Sequence, residues 1–317
     1  MNITVLDGYT LNPGDLDWKG LESLGNLTVY DRTPAVLTVE RALDSEIVIT
    51  NKTVIDAKTI GSLPRLKYIG VLATGYNVVD IAEATRRGIT VTNIPAYSTM
   101  SVAQMAISLL LAIVEHVEYY AEKNRHGKWS SCADFCYTDF PLIELAGKQF
   151  GVVGFGHTGE ATARVASALG MKIAVTTSKP QDKLPEGYVK MGMDELFASS
   201  DVVSLHCPLA EDTFHLVNAE RLSKMKPSSI LLNTGRGPLI DEAALADALH
   251  SGQIYAAGMD VLATEPPASD NPLLSAPRCF ITPHIAWATF EARQRLMRIA
   301  VENVKAFLEG HPVNTVN

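Results

Sequence analysis

Short apolar runs alternate with helical periodicity along most of the chain. ITVLD, EIVIT, LKYIGVLA and ITVTNIP, all within the first hundred residues, read as strands with helical or loop segments between them. This strand–helix–strand rhythm predicts a mostly parallel sheet covered on both faces. From Ser98 an amphipathic-to-apolar pattern predicts one long helix running towards Asn124, with Ser98 and Thr99 as candidate caps. GKWSSCADFCYTDFPLIEL then reads as a loop rich in aromatic and small polar residues, and loops of that length in compact proteins are often functional. At Gly147 the rhythm restarts, with KQFGVVGFG, MKIAVTT, DVVSLHC, SSILLNTG, YAAGMDV and CFITPHI as a second, fuller set of parallel strands. A charged amphipathic helix is predicted over Thr289 to Gly310. The pattern thus predicts an α/β chain of two parallel-sheet domains, with a cleft between them as the default ligand site.

Composition narrows the function classes. With 317 residues, 47% of them hydrophobic, the chain is long enough for two filled cores. The 27 Lys and Arg against 35 Asp and Glu give a formal charge of −8, which argues against a large phosphate-backbone footprint and so against nucleic acid. MNITVLDGYT lacks the basic start and long apolar run of a signal peptide, and the most apolar segment, Met105 to Val114, is too short for a bilayer and reads as a buried helix. A cytoplasmic protein with no membrane partner is expected. Cys132, Cys136, Cys207 and Cys279 then read as reduced thiols. Cys132 and Cys136 could share a helical face, but no His or carboxylate cluster completes a metal site, so no metal is expected.

The first chemical signal is GVVGFGHTGEATARVASALG, with Gly154, Gly156 and Gly159 in the spacing G-x-G-x-x-G. It follows an apolar strand and opens a helix with apolar spacing at Ala161, Val165 and Leu169, the context of a dinucleotide-binding turn. The first glycine turns sharply, the second lets backbone approach a pyrophosphate, and the third packs the helix on the strand. The amides of His157 and Thr158 are left to face the anion. An acidic residue usually follows at the end of the next strand to hold the adenosine ribose. Here that strand ends in Thr177, Ser178 and Lys179, hydroxyls and an ammonium that can accept a 2′-phosphate. NADP is therefore permitted beside NAD; ribose contacts made by backbone alone remain the other reading.

Further on, charged residues stand at the ends of successive predicted strands: Arg236 in SSILLNTGRGPLIDE, Asp260 and Glu265 in YAAGMDVLATEPP, His284 in CFITPHIAWAT. Singly, each has an ordinary reading as a surface ion pair, a turn former, a solvated charge or a core histidine. Together, beside a dinucleotide turn, they supply a guanidinium fork for a carboxylate or carbonyl and a proton-exchanging imidazole with a carboxylate partner. These are the parts that hydride transfer to an α-keto acid requires.

Over essentially its whole length the chain resembles the D-isomer-specific 2-hydroxyacid dehydrogenase family. LATGYNVVDI, TMSVAQMAISLLLA, ELAGKQFGVVGFGHTG, LHCPLAEDTFHLVN, LLNTGRGPLIDEAAL, GMDVLATEPP and ITPHIAWAT carry the likeness. The resemblance implies a Rossmann nucleotide domain over 99–288 and a flavodoxin-like substrate domain, discontinuous over 1–98 and the returning 289–317, both doubly wound. It implies a catalytic set of Arg236, Glu265 and His284. In this set His284 protonates the keto oxygen, Glu265 pairs with it, and Arg236 binds and polarises the substrate. Asp260 would lie by the nicotinamide carboxamide, Cys207 and Pro208 would line the adenosine side, and Thr234 and Gly235 count among the cofactor contacts. The amides of Thr74 and Gly75 would hold the substrate carboxylate, an anion nest in chemical terms, with Tyr97 and Trp287 lining the pocket.

The family further implies a homodimer built through the nucleotide domain, with the helix from Ser98 contributing. Two positions depart from the usual pattern: Thr177 stands where many NAD-dependent members have an acid, and Gln104 where many have Glu. HIAWAT and DFCYTDFPLIELAGK look like the glycerate dehydrogenase and hydroxypyruvate reductase branch, which reduces hydroxypyruvate and often glyoxylate. A 3-phosphoglycerate or other D-2-hydroxyacid dehydrogenase is the alternative within enzymes; many of the former carry an added C-terminal domain, whereas this sequence stops at Asn317. Formate dehydrogenases of this fold typically have Gln where Glu265 stands. A cofactor-sensing corepressor is the alternative from another class.

Overall fold

The computed structural model describes residues 1–317, and the chain divides into two units, Met1–Ser98 with Ala288–Asn317, and Thr99–Trp287. In the first unit, strands β1 (Asn2–Val5), β2 (Asn26–Val29), β3 (Ile47–Thr50), β4 (Tyr68–Val71) and β5 (Thr90–Thr92) form one sheet in the order β2-β1-β3-β4-β5. Every pair is parallel, and the order is that of a flavodoxin-like doubly wound sheet. β3 and β4 are buried at every position, as expected of strands covered on both faces. β2, NLTV, alternates exposed and half-buried residues at the sheet edge, so its apolar signal is thin and the hydrophobic pattern does not announce it. Connecting helices start on side-chain caps: Asp56 accepts the Thr59 amide at 2.7 Å and Asp80 the Glu83 amide at 2.9 Å, each satisfying an orphan donor of the first turn.

The last helix, Phe290–Leu308, belongs to this unit. Thr289 caps it, and it buries Ala292, Arg293, Leu296, Met297, Ala300, Asn303 and Val304, the three-to-four spacing of one face. A charge sits in that face. The Arg293 guanidinium forks onto both Asp15 oxygens at 2.7 and 2.6 Å and also donates to the carbonyls of Leu11 and Ala288, so the buried cation is neutralised and hydrogen-bonded. Asn303 reaches Thr92 Oγ1 and the Asn93 carbonyl. Beyond the helix, Asn93 and Val316 exchange backbone hydrogen bonds with Asn314 and Val91, so residues 314–317 cover the otherwise open edge of β5.

The second unit is a seven-stranded parallel sheet: β6 (Gln149–Val153), β7 (Lys172–Thr176), β8 (Val189–Lys190), β9 (Val202–Leu205), β10 (Ile230–Asn233), β11 (Ala256–Met259) and β12 (Cys279–Ile281). The order β12-β11-β10-β9-β6-β7-β8 places the switch of winding direction between β6 and β9, the usual nucleotide crevice of such sheets. β8, two exposed residues, is a further strand the pattern does not announce.

The single helix expected from Ser98 towards Asn124 is instead two, Thr99–Glu115 and Val117–Arg125, bent by 56°. His116 breaks it with a left-handed backbone, φ 51° and ψ 33°. The apolar stripe explains the break. The first segment buries Ile107, Leu109, Leu110, Ile113 and Val114, whereas VEYYAEKNR buries nothing, so past Val114 no face remains to hold the helix on the sheet. The aromatic stretch that follows has no helix or strand until β6. It is tied together by ring contacts of Tyr119 and His116 with Phe140, and by a Trp129 Nε1 bond to the Phe135 carbonyl.

Two outcomes follow. Arg293→Met should lower the free energy of unfolding by about 1–2 kcal/mol, because the carbonyls of Leu11 and Ala288 lose their donor; urea midpoints measure this, and a loss below about 0.5 kcal/mol would show the network to be idle. The second concerns His206, just past β9, whose Nε2 lies 2.8 Å from Ser204 Oγ. Burial pushes its imidazole down to about 4, from an ordinary value of 6.5. The unfolded chain then binds a proton that the fold refuses, so stability falls as pH drops from about 6.5 to about 4, by on the order of 2 kcal/mol. His206→Gln should flatten that window in unfolding midpoints compared at pH 7 and pH 5, and an unchanged slope would refute it.

Candidate active site on the carboxyl edge of the second sheet

The glycine turn begins where β6 ends. Gly154 adopts φ +91°, and a Cβ there would lie 2.6 Å from the Cys207 nitrogen, so both the dihedral and the neighbour demand glycine. A Cβ on Gly159 would stand 2.1 Å from the Gly154 carbonyl oxygen, while one on Gly156 would meet nothing within 4 Å. The three glycines thus divide their work: the first and third let chain segments touch, and the second leaves open space above the turn. Gly156 is also the N-cap of helix His157–Ala168, and no side chain caps that end. The first-turn amides, those of His157 and Thr158 among them, remain as donors at the positive end of a helix dipole. These features fit a pyrophosphate.

Neighbouring strand ends extend the same edge. After β7, Thr177 is half-buried and Ser178 and Lys179 are exposed; Thr177 Oγ1 accepts the Lys179 amide at 3.2 Å. After β9, half-buried Cys207 sits with its backbone against Gly154, and burial pushes its thiol up. It is no thiolate at neutral pH, and Pro208 follows it exposed. After β10, Asn233 ties the turn: its Oδ1 accepts the Gly235 amide at 3.0 Å and its Nδ2 donates to the Arg236 carbonyl at 2.9 Å. The Thr234 hydroxyl in that turn is buried without a hydrogen-bond partner, a cost that a polar group of a ligand at this edge would relieve. The Arg236 guanidinium is exposed, and its own Nη1 bonds the Gly235 carbonyl at 2.8 Å.

At the end of β12, His284 holds a left-handed backbone, φ 55°, a conformation that costs a non-glycine residue about 1–2 kcal/mol. The cost is offset by Asp260, at the end of β11. Its carboxylate is 1% exposed, and accepts from Thr282 Oγ1 at 2.6 Å, the Ile285 amide at 3.0 Å and the Ala286 amide at 2.9 Å. Its carbonyl takes the His284 amide at 2.8 Å. Burial raises the Asp260 carboxyl, against the lowering effect of those donors. The turn so built presents His284 Nδ1 to Glu265 Oε2 at 2.5 Å, and Glu265 is steadied by the Leu262 amide on its other oxygen at 3.1 Å. Both side chains are about one-third exposed. With Nδ1 engaged, Nε2 is the nitrogen left for chemistry. Trp287, half-buried, ends the unit.

From the glycine turn to His284 the edge crosses β6, β9, β10, β11 and β12 in spatial order, four strand spacings or roughly 19 Å. That length suits an extended ligand whose one end is anionic and whose other end lies by an acid–base pair. The scaffolding residues Asn233, Thr282 and, in its turn-building capacity, Asp260 escape a reading of the sequence. Nothing in the local pattern says which amides a buried carboxylate will collect.

The first unit carries two turns of amides on its own carboxyl edge. Asn51, Lys52 and Thr53 give theirs to the Asp7 carboxylate, at 2.6 to 2.8 Å. The turn after β4 is different: Thr74 Oγ1 bonds the Ile94 carbonyl and Asn93 Nδ2 the Thr74 carbonyl, which fixes the turn. The Thr74 and Gly75 amides themselves make no hydrogen bond. Tyr97 is buried, and its carbonyl accepts from Arg295 Nε at 2.9 Å.

A sequence profile described as D-isomer specific 2-hydroxyacid dehydrogenase, NAD binding domain, matches residues 107–286. The hydroxypyruvate reductase of Blautia hydrogenotrophica is 52% identical over 321 residues, covering 100% of both chains. Among solved structures, the TT0316 protein of Thermus thermophilus superposes with a TM-score of 0.89 at 35% identity, covering 100% of both chains. An acyclic imino acid reductase, Bsp5, in complex with NADPH and D-Arg superposes with a TM-score of 0.86 at 31% identity, again over 100% of both. The chain belongs to the D-isomer-specific 2-hydroxyacid dehydrogenase family.

Proposed function

We propose that the protein reduces hydroxypyruvate to D-glycerate, and glyoxylate to glycolate, with a nicotinamide cofactor. The observation that carries this reading is the His284–Glu265 pair at 2.5 Å, on the same sheet edge as Arg236 and an open glycine turn. The full-length likeness to a hydroxypyruvate reductase supports the substrate. In this reading residues 99–288 form the nucleotide domain, and 1–98 with 289–317 the substrate domain.

The cofactor, when bound, supplies the hydride that reaches the keto carbon. The amides of His157 and Thr158, with Gly154, Gly156 and Gly159 around them, would hold its pyrophosphate. Thr177, Ser178 and Lys179, with Cys207 and Pro208, would meet the adenosine end; Thr234, Gly235 and Asp260 would meet the nicotinamide end. His284 gives the proton on Nε2 to the keto oxygen as the hydride arrives, so the product leaves as a neutral alcohol and the imidazole must be reprotonated from solvent. Glu265 holds the ring in place through Nδ1 and so leaves Nε2 towards the substrate. Arg236 binds the substrate carboxylate and polarises the ketone, and the Thr74 and Gly75 amides are further donors suited to a carboxylate. Tyr97 and Trp287 are further substrate contacts in this reading. NAD and NADP are both compatible with a strand end that lacks the ribose-binding acid. The homodimer that the family suggests is assigned in this reading to the second unit, where Val117, Trp129 and Phe135 are exposed.

Three measurements test the reading. Absorbance loss of the reduced cofactor should give hydroxypyruvate the highest kcat/KM, with glyoxylate next; pyruvate equal to or above hydroxypyruvate would overturn the substrate assignment. His284→Asn should lower kcat by at least about 10²-fold, the scale of a lost general acid, while cofactor affinity by fluorescence titration stays within about twofold; retained turnover would remove His284 from the chemistry. Glu265→Gln should lower kcat by at least about 10-fold with KM within about threefold, because the ring loses the carboxylate that orients it. An unchanged kcat would dissolve the pairing.

A further inference from the structure

The corner at the end of β7 carries two ammonium groups, Lys179 and Lys190, and the second comes from a strand that the sequence pattern hides. β8 pairs in parallel with β7, Val175 opposite Lys190, and Gln181 braces it. The Gln181 side chain donates to the Tyr188 carbonyl at 2.7 Å and accepts the Lys190 amide at 2.7 Å. Tyr188 packs edge-on against Phe155 of the glycine turn, with ring centroids 6.1 Å apart. So held, Lys190 places its Nζ 2.8 Å from the Lys179 carbonyl, which uses one of its three donors. Lys179 Nζ lies 5.1 Å from the centre of the Phe155 ring and 3.8 Å from Glu160 Oε2. The Lys179–Glu160 pair is about half exposed on both sides. Exposed pairs of that kind are weak, so the ammonium is readily given up to a stronger anion.

We propose that Lys190 and Lys179 together form a 2′-phosphate site, that Glu160 limits it, and that the enzyme therefore prefers NADPH to NADH. This rests on the cofactor placement above and adds the residues that decide between the two cofactors. Two ammonium groups beside a dianionic phosphate attract it directly, and neither has a counterpart to attract on an unphosphorylated ribose. Glu160 acts in the opposite sense. Its carboxylate occupies Lys179 and repels a phosphate, whereas it can accept a hydrogen bond from a ribose hydroxyl. Lys190 and Glu160 are specificity residues, remote from the reacting atoms.

The full chain can be titrated calorimetrically with adenosine 2′,5′-bisphosphate and with AMP, with no turnover needed. The wild type should bind the bisphosphate at least tenfold more tightly than AMP. Lys190→Met should weaken the bisphosphate about tenfold and leave AMP within about twofold, and Lys190→Arg should restore most of the loss, as expected of a charge-assisted contact. Glu160→Gln should tighten the bisphosphate about threefold or more, with AMP no tighter. The kcat/KM ratio of NADPH to NADH should move in parallel. Equal binding of the two probes by the wild type, or a Lys190→Met ratio that does not move, overturns the inference. If hydroxypyruvate is not reduced while the probes are discriminated as stated, the substrate reading fails and the 2′-phosphate site stands. If reduction proceeds and discrimination is absent, the reverse holds.

Discussion

The Asp260 carboxylate lies 1% exposed at the end of β11 and receives one hydroxyl and two backbone amides from the turn beyond β12. Burying a carboxylate without such donors would be prohibitive, so the turn and the acid require each other. That mutual requirement sustains the left-handed backbone of His284, and the backbone in turn delivers the imidazole to Glu265. The acid–base pair is therefore the exposed end of a hydrogen-bonded chain whose anchor is inside the sheet. A ring held only by its own side-chain torsions would lose much of its orientation to rotamer freedom.

Parallel strands make this arrangement economical. All strands in each sheet run the same way, so every carboxyl end faces one edge, and residues from Gly154 to His284 meet there although 130 positions of sequence separate them. Close approach is handled by glycine where strands and turns touch, at Gly154 against Cys207 and at Gly159 against Gly154. Open space is kept by glycine where a ligand must come near, at Gly156. In the first unit the same geometry gives two turns of amides, one closed by Asp7 and one left with its Thr74 and Gly75 donors unspent.

Much of this was legible in one dimension. Buried strands such as β3, β4, β9 and β10 are largely apolar runs, and the glycine spacing stands between a strand and an amphipathic helix. Arg236, Glu265 and His284 each follow such a run, so motif order and residue type suffice to nominate them. The elements that escape are those whose stability is not local. β2 and β8 are exposed edge strands whose pairing comes from a neighbour. The helix break at His116 arises because its apolar face runs out of sheet to cover, and periodicity alone extends the helix past that point.

What the amino-acid sequence determined by itself is the alternation of strands and helices, the glycine turn, and the kinds of side chain available at the strand ends. These depend on local periodicity and on steric rules that act within a few residues. Only the tertiary structure decided that Asp260 props the His284 turn, that Asn233 ties the Arg236 turn, and that β8 brings Lys190 to the Lys179 carbonyl. Each of those is a hydrogen bond between segments distant in the chain or set by a fold-imposed turn, and such bonds exist only once burial has removed water as the competing partner.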